Sequence, residues 1–178
     1  LLAPRTPRYD RLRNAMKSYR RIADNGGWQL VPEGETLKPG MIDARVLVLR
    51  KRLSITGEYV PSNDLANPEA YEGDIVDAVQ LFQERHGLEI DRVIGPNTLS
   101  EINVPVEQRI AMMELNLERR RWMQNDYGQN HIFANLADQV LKLVRNGKTV
   151  YAEIIQVGLP YHKTPVFSDS MEYLEFNP

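Results

Sequence analysis

The stretch Ala78-Val79-Gln80-Leu81-Phe82-Gln83-Glu84-Arg85-His86-Gly87-Leu88-Glu89-Ile90-Asp91-Arg92-Val93-Ile94-Gly95-Pro96-Asn97-Thr98-Leu99 decides how this chain folds. Ile75, Val79 and Phe82 recur at helical spacing and predict a helix from about 73 to 85 with these residues as its core stripe. Gly87 stops it, because glycine takes the left-handed conformation past a helix end without steric cost. Asp91 to Gly95 reads as a turn. Pro96 then opens a short helix as its first residue, and Leu99 and Ile102 face back to the core. Upstream, Asp43 can cap a helix that carries Val46, Leu49 and Leu53 on one face. The segment from 54 to 72 reads as a long polar loop with Pro61, Asn63, Asp64 and Pro68. Residues 43–103 are therefore expected to form a compact three-helix module.

On the amino-terminal side, Leu12, Ala15, Met16, Tyr19, Ile22 and Ala23 predict a helix over 9–24. Asn25-Gly26-Gly27 ends it, and 28–39 is a connector punctuated by Pro and Gly. On the other side, Val104-Pro105 breaks the module and a further helix is expected over about 107–124, with Ile110, Met113, Leu117 and Trp122. The period then changes. Residues 131–136, 139–145 and 149–157 are short and rich in Val, Ile, Leu, Phe and Tyr, and Asn146-Gly147 is a strong two-residue hairpin signal. Residues 171–176 are a fourth strand candidate. Three or four strands leave open edges, so the β part reads as incomplete. The fold class is α+β: a helical module with flanking helices, then an antiparallel β segment.

The chain has 178 residues and a formal net charge of −2. That length suits one medium domain or two small ones. The charge gives no case for nucleic acid, which usually needs a basic face. No apolar run approaches the roughly 18–20 residues that span a bilayer. The start, Leu1-Leu2-Ala3-Pro4, has neither the charged onset nor the apolar core of a signal peptide, and the chain reads as a fragment whose export segment lies upstream or was removed. There is no cysteine, which excludes a disulfide framework, a thiolate metal site and a cysteine nucleophile within these residues. The histidines at 86, 131 and 162 are scattered, and neither His131 nor His162 has a second ligand at usable spacing, so no metal or cofactor is expected.

Several stretches taken in order resemble the larger periplasmic L,D-transpeptidases of Gram-negative bacteria. They are Tyr19-Arg20-Arg21-Ile22-Ala23 with Gly26-Gly27-Trp28; Phe82-Gln83-Glu84-Arg85-His86-Gly87-Leu88; Asn103-Val104-Pro105-Val106 with Asn116-Leu117-Glu118-Arg119; Gln156-Val157-Gly158; Thr164-Pro165-Val166-Phe167-Ser168-Asp169; and Glu175-Phe176-Asn177-Pro178. The resemblance implies a peptidoglycan-binding domain at 43–103, an amino-terminal scaffold at 1–42, a linking helix at 104–127, and the first part of a YkuD-like catalytic domain at 128–178. It implies an exported, periplasmic enzyme that forms 3→3 peptidoglycan cross-links, with glycan and stem peptide as its partners. The family's chemistry runs through a cysteine thioester and needs a base and an oxyanion hole. The family's Ser/Thr-His-Gly-Cys motif is missing here. His86-Gly87 is followed by Leu88 and lies in the helical module. No catalytic residue is therefore expected in this chain, and the reactive centre is expected beyond Pro178.

Arg85, His86, Asp91, Arg92 and Asn97 are the candidates for lining a groove for glycan or stem peptide. The same residues could serve only as turn stabilisers and solvated surface, Asp91 in particular by bonding its own downstream backbone. Tyr59 and Tyr71 could stack on sugar rings, although packing on their own domain is the favoured reading. Arg119-Arg120-Arg121 could attract stem-peptide carboxylates or simply face solvent. Trp28 and Trp122 are expected to anchor the two flanking helices. Two other functions compete: a wall-binding scaffold without activity, and a zinc-dependent wall hydrolase. The hydrolase is disfavoured by the lack of metal-spaced His, Asp and Glu.

Overall fold

A computed structural model describes residues 6–62, 65–122, 127–159, 161–173 and 175. Among them are five helices and one three-stranded antiparallel sheet, an α+β architecture. The chain divides into two compact units, residues 1–124 and 125–178.

The first unit is helical. Helix α1, Pro7–Asp24, is capped by Thr6, whose hydroxyl accepts the Tyr9 N–H at 3.3 Å, and Pro7 occupies a first-turn position where its missing N–H costs nothing. It stops where Gly26 and Gly27 take positive φ. Helix α2, Arg45–Thr56, starts from Ala44, which makes no capping bond. Asp43, one residue earlier, accepts the Arg45 N–H at 2.8 Å and pairs with the Arg45 guanidinium at 2.8 Å. These bonds hold the Asp43 carboxyl below the usual carboxylate range. The helix runs on to Thr56, so the following loop starts later than position 54. Leu53 is still fully buried there, and Gly57 is the first residue able to take the left-handed stop, at φ 84.

Helix α3, Asp74–His86, ends at Gly87, φ 66, and the Leu88 N–H reaches back to the Gln83 carbonyl at 3.0 Å. Helix α4, Pro96–Ile102, starts at its proline. Helix α5, Val106–Trp122, packs against α1, with Arg20 and Glu114 at 2.7 Å and the Arg121 Nε donating to the Tyr9 hydroxyl at 3.2 Å. Residues 123–126, which include the expected end of this helix, lie outside the described residues, as do Asn63 and Asp64.

The core of this unit gathers Val46, Leu49, Leu53, Ile75, Val79, Phe82 and Ile102, all essentially inaccessible. Each such side chain contributes about 1.5–3 kcal/mol of transfer free energy. The connector supplies Val31 and Leu37 to the same core, and Leu37 and Ile94 exchange backbone hydrogen bonds at 3.2 and 3.0 Å. Tyr59 and Tyr71 are buried in it, which removes both from any role on a sugar ring. Trp28 is an anchor: its ring meets Tyr19 edge-on at 6.1 Å and lies 3.8 Å from the Arg52 guanidinium. Trp122 is not. It is 72 % exposed, because the buried side of α5 runs through Val106 and Leu117 and position 122 falls outside that stripe.

The second unit is a meander of β1 (His131–Asn135), β2 (Val140–Arg145) and β3 (Lys148–Ile154) in the order β1-β2-β3. Asn146 and Gly147 connect β2 to β3 with φ 50 and 72, the two positive values a type I′ turn demands, and Arg145 then faces Lys148. The register shifts between Leu143 and Val144. Val144 is the one buried residue of this unit among those described. The expected strand at 171–176 is not formed in its described part. Residues 171–173 make no ladder, and Met171 and Tyr173 are 73 % and 80 % exposed. Apolar alternation makes a strand only where a neighbour accepts its backbone hydrogen bonds. Residues 174 and 176 of that segment lie outside the described residues.

Candidate functional site

Four of the five candidate residues fall into two groups around helix α3, and the fifth, Asn97, stands alone in α4. The first group centres on Gln83, which is completely buried. Its amide nitrogen donates to the Asp91 carboxylate (2.8 Å), the Val93 carbonyl (3.0 Å) and the Thr98 hydroxyl (3.2 Å), and its amide oxygen accepts the Arg92 N–H (2.9 Å). Asp91 also accepts the Val93 N–H at 2.9 Å, closing a turn on itself. That backbone bond, followed by the one from Gln83, holds its carboxyl below the usual range. Asp91 is thus committed to the turn. Arg92 adopts φ 62, a left-handed conformation for a non-glycine residue. The Gln83 bond on its N–H and the Tyr71 hydroxyl on its carbonyl, at 2.7 Å, hold it there. Its guanidinium lies outward, bonded to the Gln80 side chain at 2.7 Å and 3.9 Å from Asp77.

The second group sits at the carboxyl end of α3. The His86 ring stacks on Phe82 with centroids 3.9 Å apart, and its Nδ1 lies 2.8 Å from the Phe82 carbonyl. A carbonyl only accepts, so Nδ1 carries the proton and Nε2 keeps the lone pair. Burial lowers the His86 pKa, which favours the neutral ring. Arg85 is half-exposed and pairs at 2.7 Å with Glu58, whose side chain is only 4 % exposed. Glu58 in turn accepts from the Thr56 hydroxyl. Asn97, second in α4, is exposed and makes no side-chain hydrogen bond among the described residues.

Taken together, the structure brings Asp91 and Arg92 onto one hub and leaves Arg85 and His86 on separate partners. The three candidates that face outward are two guanidinium groups, Arg85 paired with Glu58 and Arg92 beside Asp77, and the Asn97 primary amide, with the exposed carboxylates of Glu84 and Glu89 on the same edge. The donors among them suit carboxylate- and hydroxyl-bearing ligands. The Thr98 hydroxyl oxygen accepts from the Gln83 amide at 3.2 Å. Among the described residues no group of three His, Asp or Glu is placed to hold a metal ion. Arg119 and Arg120 are exposed on α5, and Arg121 pairs with Glu118.

The sequence reading missed four polar side chains that hold this surface in place. Gln83 lies four residues after Val79, on the core stripe itself. Arg50 and Arg52, 7 % and 2 % exposed, likewise follow Val46 and Leu49 at helical spacing. Arg50 donates to the Pro68 and Ala70 carbonyls and the Tyr59 hydroxyl at 2.7–3.0 Å. Arg52 donates to the Ile102 carbonyl at 3.0 Å, and burial pushes its pKa down to about 10. The fourth, Asn103, binds both the N–H and the carbonyl of Val31, at 2.8 and 2.9 Å. A polar residue at a core-stripe position is the signal that finds the first three.

Neither a family model nor a curated protein matches the chain. Among solved structures it is similar to a crystal structure of an L,D-transpeptidase from Xylanimonas cellulosilytica, at 22 % identity over 69 % of this chain and 52 % of that one, with a TM-score of 0.32. The chain spans about half the length of that structure.

Proposed function

We propose that this chain is the wall-binding portion, with the first strands of the catalytic domain, of a periplasmic L,D-transpeptidase of the larger Gram-negative type. Residues 43–103 bind peptidoglycan, with Arg85, Arg92 and Asn97 on the ligand side and Asp91 and His86 shaping the surface beneath them. The whole enzyme forms 3→3 cross-links: a cysteine thiolate attacks the donor stem peptide, a thioester forms, and an acceptor amine resolves it. The single observation that carries this reading is the order of the resembling stretches, from Tyr19-Arg20-Arg21 through Phe82 to Leu88 and Asn103 to Val106, to Phe167-Ser168-Asp169. None is specific alone. The outward donors of the module suit the carboxylates and hydroxyls of stem peptide and glycan.

Thioester chemistry needs a thiolate, and the chain has none. On this reading the cysteine is supplied from outside residues 1–178. The competing reading, a wall-binding scaffold without activity, is favoured by that same lack. Mass spectrometry after carbapenem exposure separates the two. The proposal expects no adduct on this chain and one adduct on the product of the complete gene, lost when its cysteine is changed to Ala. No adduct on the complete product would leave the scaffold reading standing and refute the enzyme.

A further inference from the structure

Helix α5 has a second apolar side that the fold does not use. Met112, Leu115 and Trp122 are 49 %, 53 % and 72 % exposed. At 100° per residue they fall within about 80° of one another, opposite the stripe of Val106 and Leu117 that packs inward. Arg119 lies within the same arc. Charge is concentrated on the same pair of helices. Together α1 and α5 hold ten Lys and Arg against five Asp and Glu, in a chain with 22 and 24, so a net +5 sits on two helices of a molecule whose total is −2. Arg11, Lys17, Arg119 and Arg120 are exposed and form no ion pair among the described residues.

We propose that the outward face of α5 seats the protein on an anionic phospholipid surface, with Trp122, Leu115 and Met112 entering the headgroup layer and the arginines of α1 and α5 meeting the phosphates. A line of Trp, Leu and Met with Arg119 inside its arc is the pattern of a helix that lies in a membrane interface. Indole is favoured at that depth because its ring is apolar and its N–H polar; here the Trp122 N–H donates to Glu118 at 3.0 Å. A polyanion such as nucleic acid would take the arginines and gain nothing from the apolar line. A second copy is disfavoured by repulsion between two arms of +5. The helix lies on the surface and does not cross it, since no described helix is long and apolar enough to span.

The test is sedimentation of the 178-residue chain with phosphatidylglycerol–phosphatidylethanolamine vesicles and with phosphatidylcholine vesicles, beside retention on heparin. The chain is expected to bind the anionic vesicles only, with a blue shift of Trp emission that Trp122→Phe changes in size and Leu115→Ser/Trp122→Ser abolishes. That double variant is expected to bind at least roughly tenfold more weakly with an unchanged far-UV spectrum, because both side chains are outside the core. Arg119→Gln/Arg120→Gln provides a second variant. At roughly fivefold per basic residue near an anionic surface, it is expected to lose on the order of twentyfold. No binding to anionic vesicles at low salt would overturn the proposal. Binding that the Leu115/Trp122 change leaves intact, matched by equal retention on heparin, would overturn it as well, since it would reveal a docking site for polyanions.

Discussion

The helical unit and the strand unit of this chain solve the same problem to different extents. In residues 6–122 helices α2, α3 and α4 and the loops between them share one core, and among the described residues the polar side chains trapped in the unit are matched save the Trp28 indole N–H: Gln83 makes four hydrogen bonds, and Arg50 reaches two carbonyls and a hydroxyl. In residues 127–159 the strands pair correctly, yet Val144 alone is buried, and Ile132, Val150 and Ile154 are 52–81 % exposed. Backbone pairing and turn chemistry suffice to define a hairpin and its register, whereas burial requires a second layer. Stability, and any surface that depends on fixed side chains, is therefore concentrated in the helical unit.

The largest effect that would break this contrast is a core truncation. Phe82→Ala is expected to cost about 3–5 kcal/mol in urea unfolding followed by Trp fluorescence, since Trp28 sits against Arg52 in the same unit. The matching truncation in the strand unit, Val144→Ala, is expected to cost about 1 kcal/mol or less by far-UV dichroism, because its surroundings are largely solvated. Equal costs would mean that the strand unit has a core of comparable density.

Next comes the polar hub. Gln83→Leu keeps the volume and removes four hydrogen bonds, leaving the Arg92 N–H and the Val93 carbonyl without their partner. A loss of about 2–4 kcal/mol is expected. Stability within about 0.5 kcal/mol of the original would show that the network is dispensable. Because Arg92 is held at φ 62 by this hub and by Tyr71, the same variant should also disorder the turn at 91–93, which amide exchange would detect.

A smaller effect concerns pH. Burial lowers the His86 pKa in the folded chain below its unfolded value near 6.5. In that window the unfolded chain binds more protons, so stability is fully present above about pH 6.5 and is lost as pH falls through the folded value. His86→Gln is expected to flatten this part of the stability profile while leaving the Asp91 contribution, which is lost only below the ordinary carboxylate range. An unchanged slope between pH 7 and 5 would remove His86 from the account.

Much of this architecture was legible beforehand, for identifiable reasons. Helices α1, α3, α4 and α5 carry apolar residues at three- and four-residue spacing, and each but α5 has a stop made of glycine or asparagine. The hairpin rests on Asn146-Gly147, the pair that accepts two positive φ values most readily. Misreadings came where a local pattern met a nonlocal requirement. Trp122 looked like an anchor until α5 presented its other side to α1. Met171 and Tyr173 alternate like a strand and lack a ladder. For the site, Asp91 was legible as a turn former, and Arg92 and Asn97 as exposed polar groups. The place of Gln83 on a core stripe marks it as a buried polar group, but its partners at 92, 91, 93 and 98 are set by the fold and were not legible.

The central claim is that the helical unit holds peptidoglycan through the donors at the end of α3 and the turn after it. Its most direct measurement is sedimentation of the whole 178-residue chain with purified sacculi. The account predicts retention without added metal, in the micromolar to millimolar range, or roughly −8 to −4 kcal/mol. It predicts that Arg92→Ala/Asn97→Ala weakens retention several-fold while leaving the unfolding curve unchanged. No retention at high protein concentration, or retention indifferent to that double change, would contradict it.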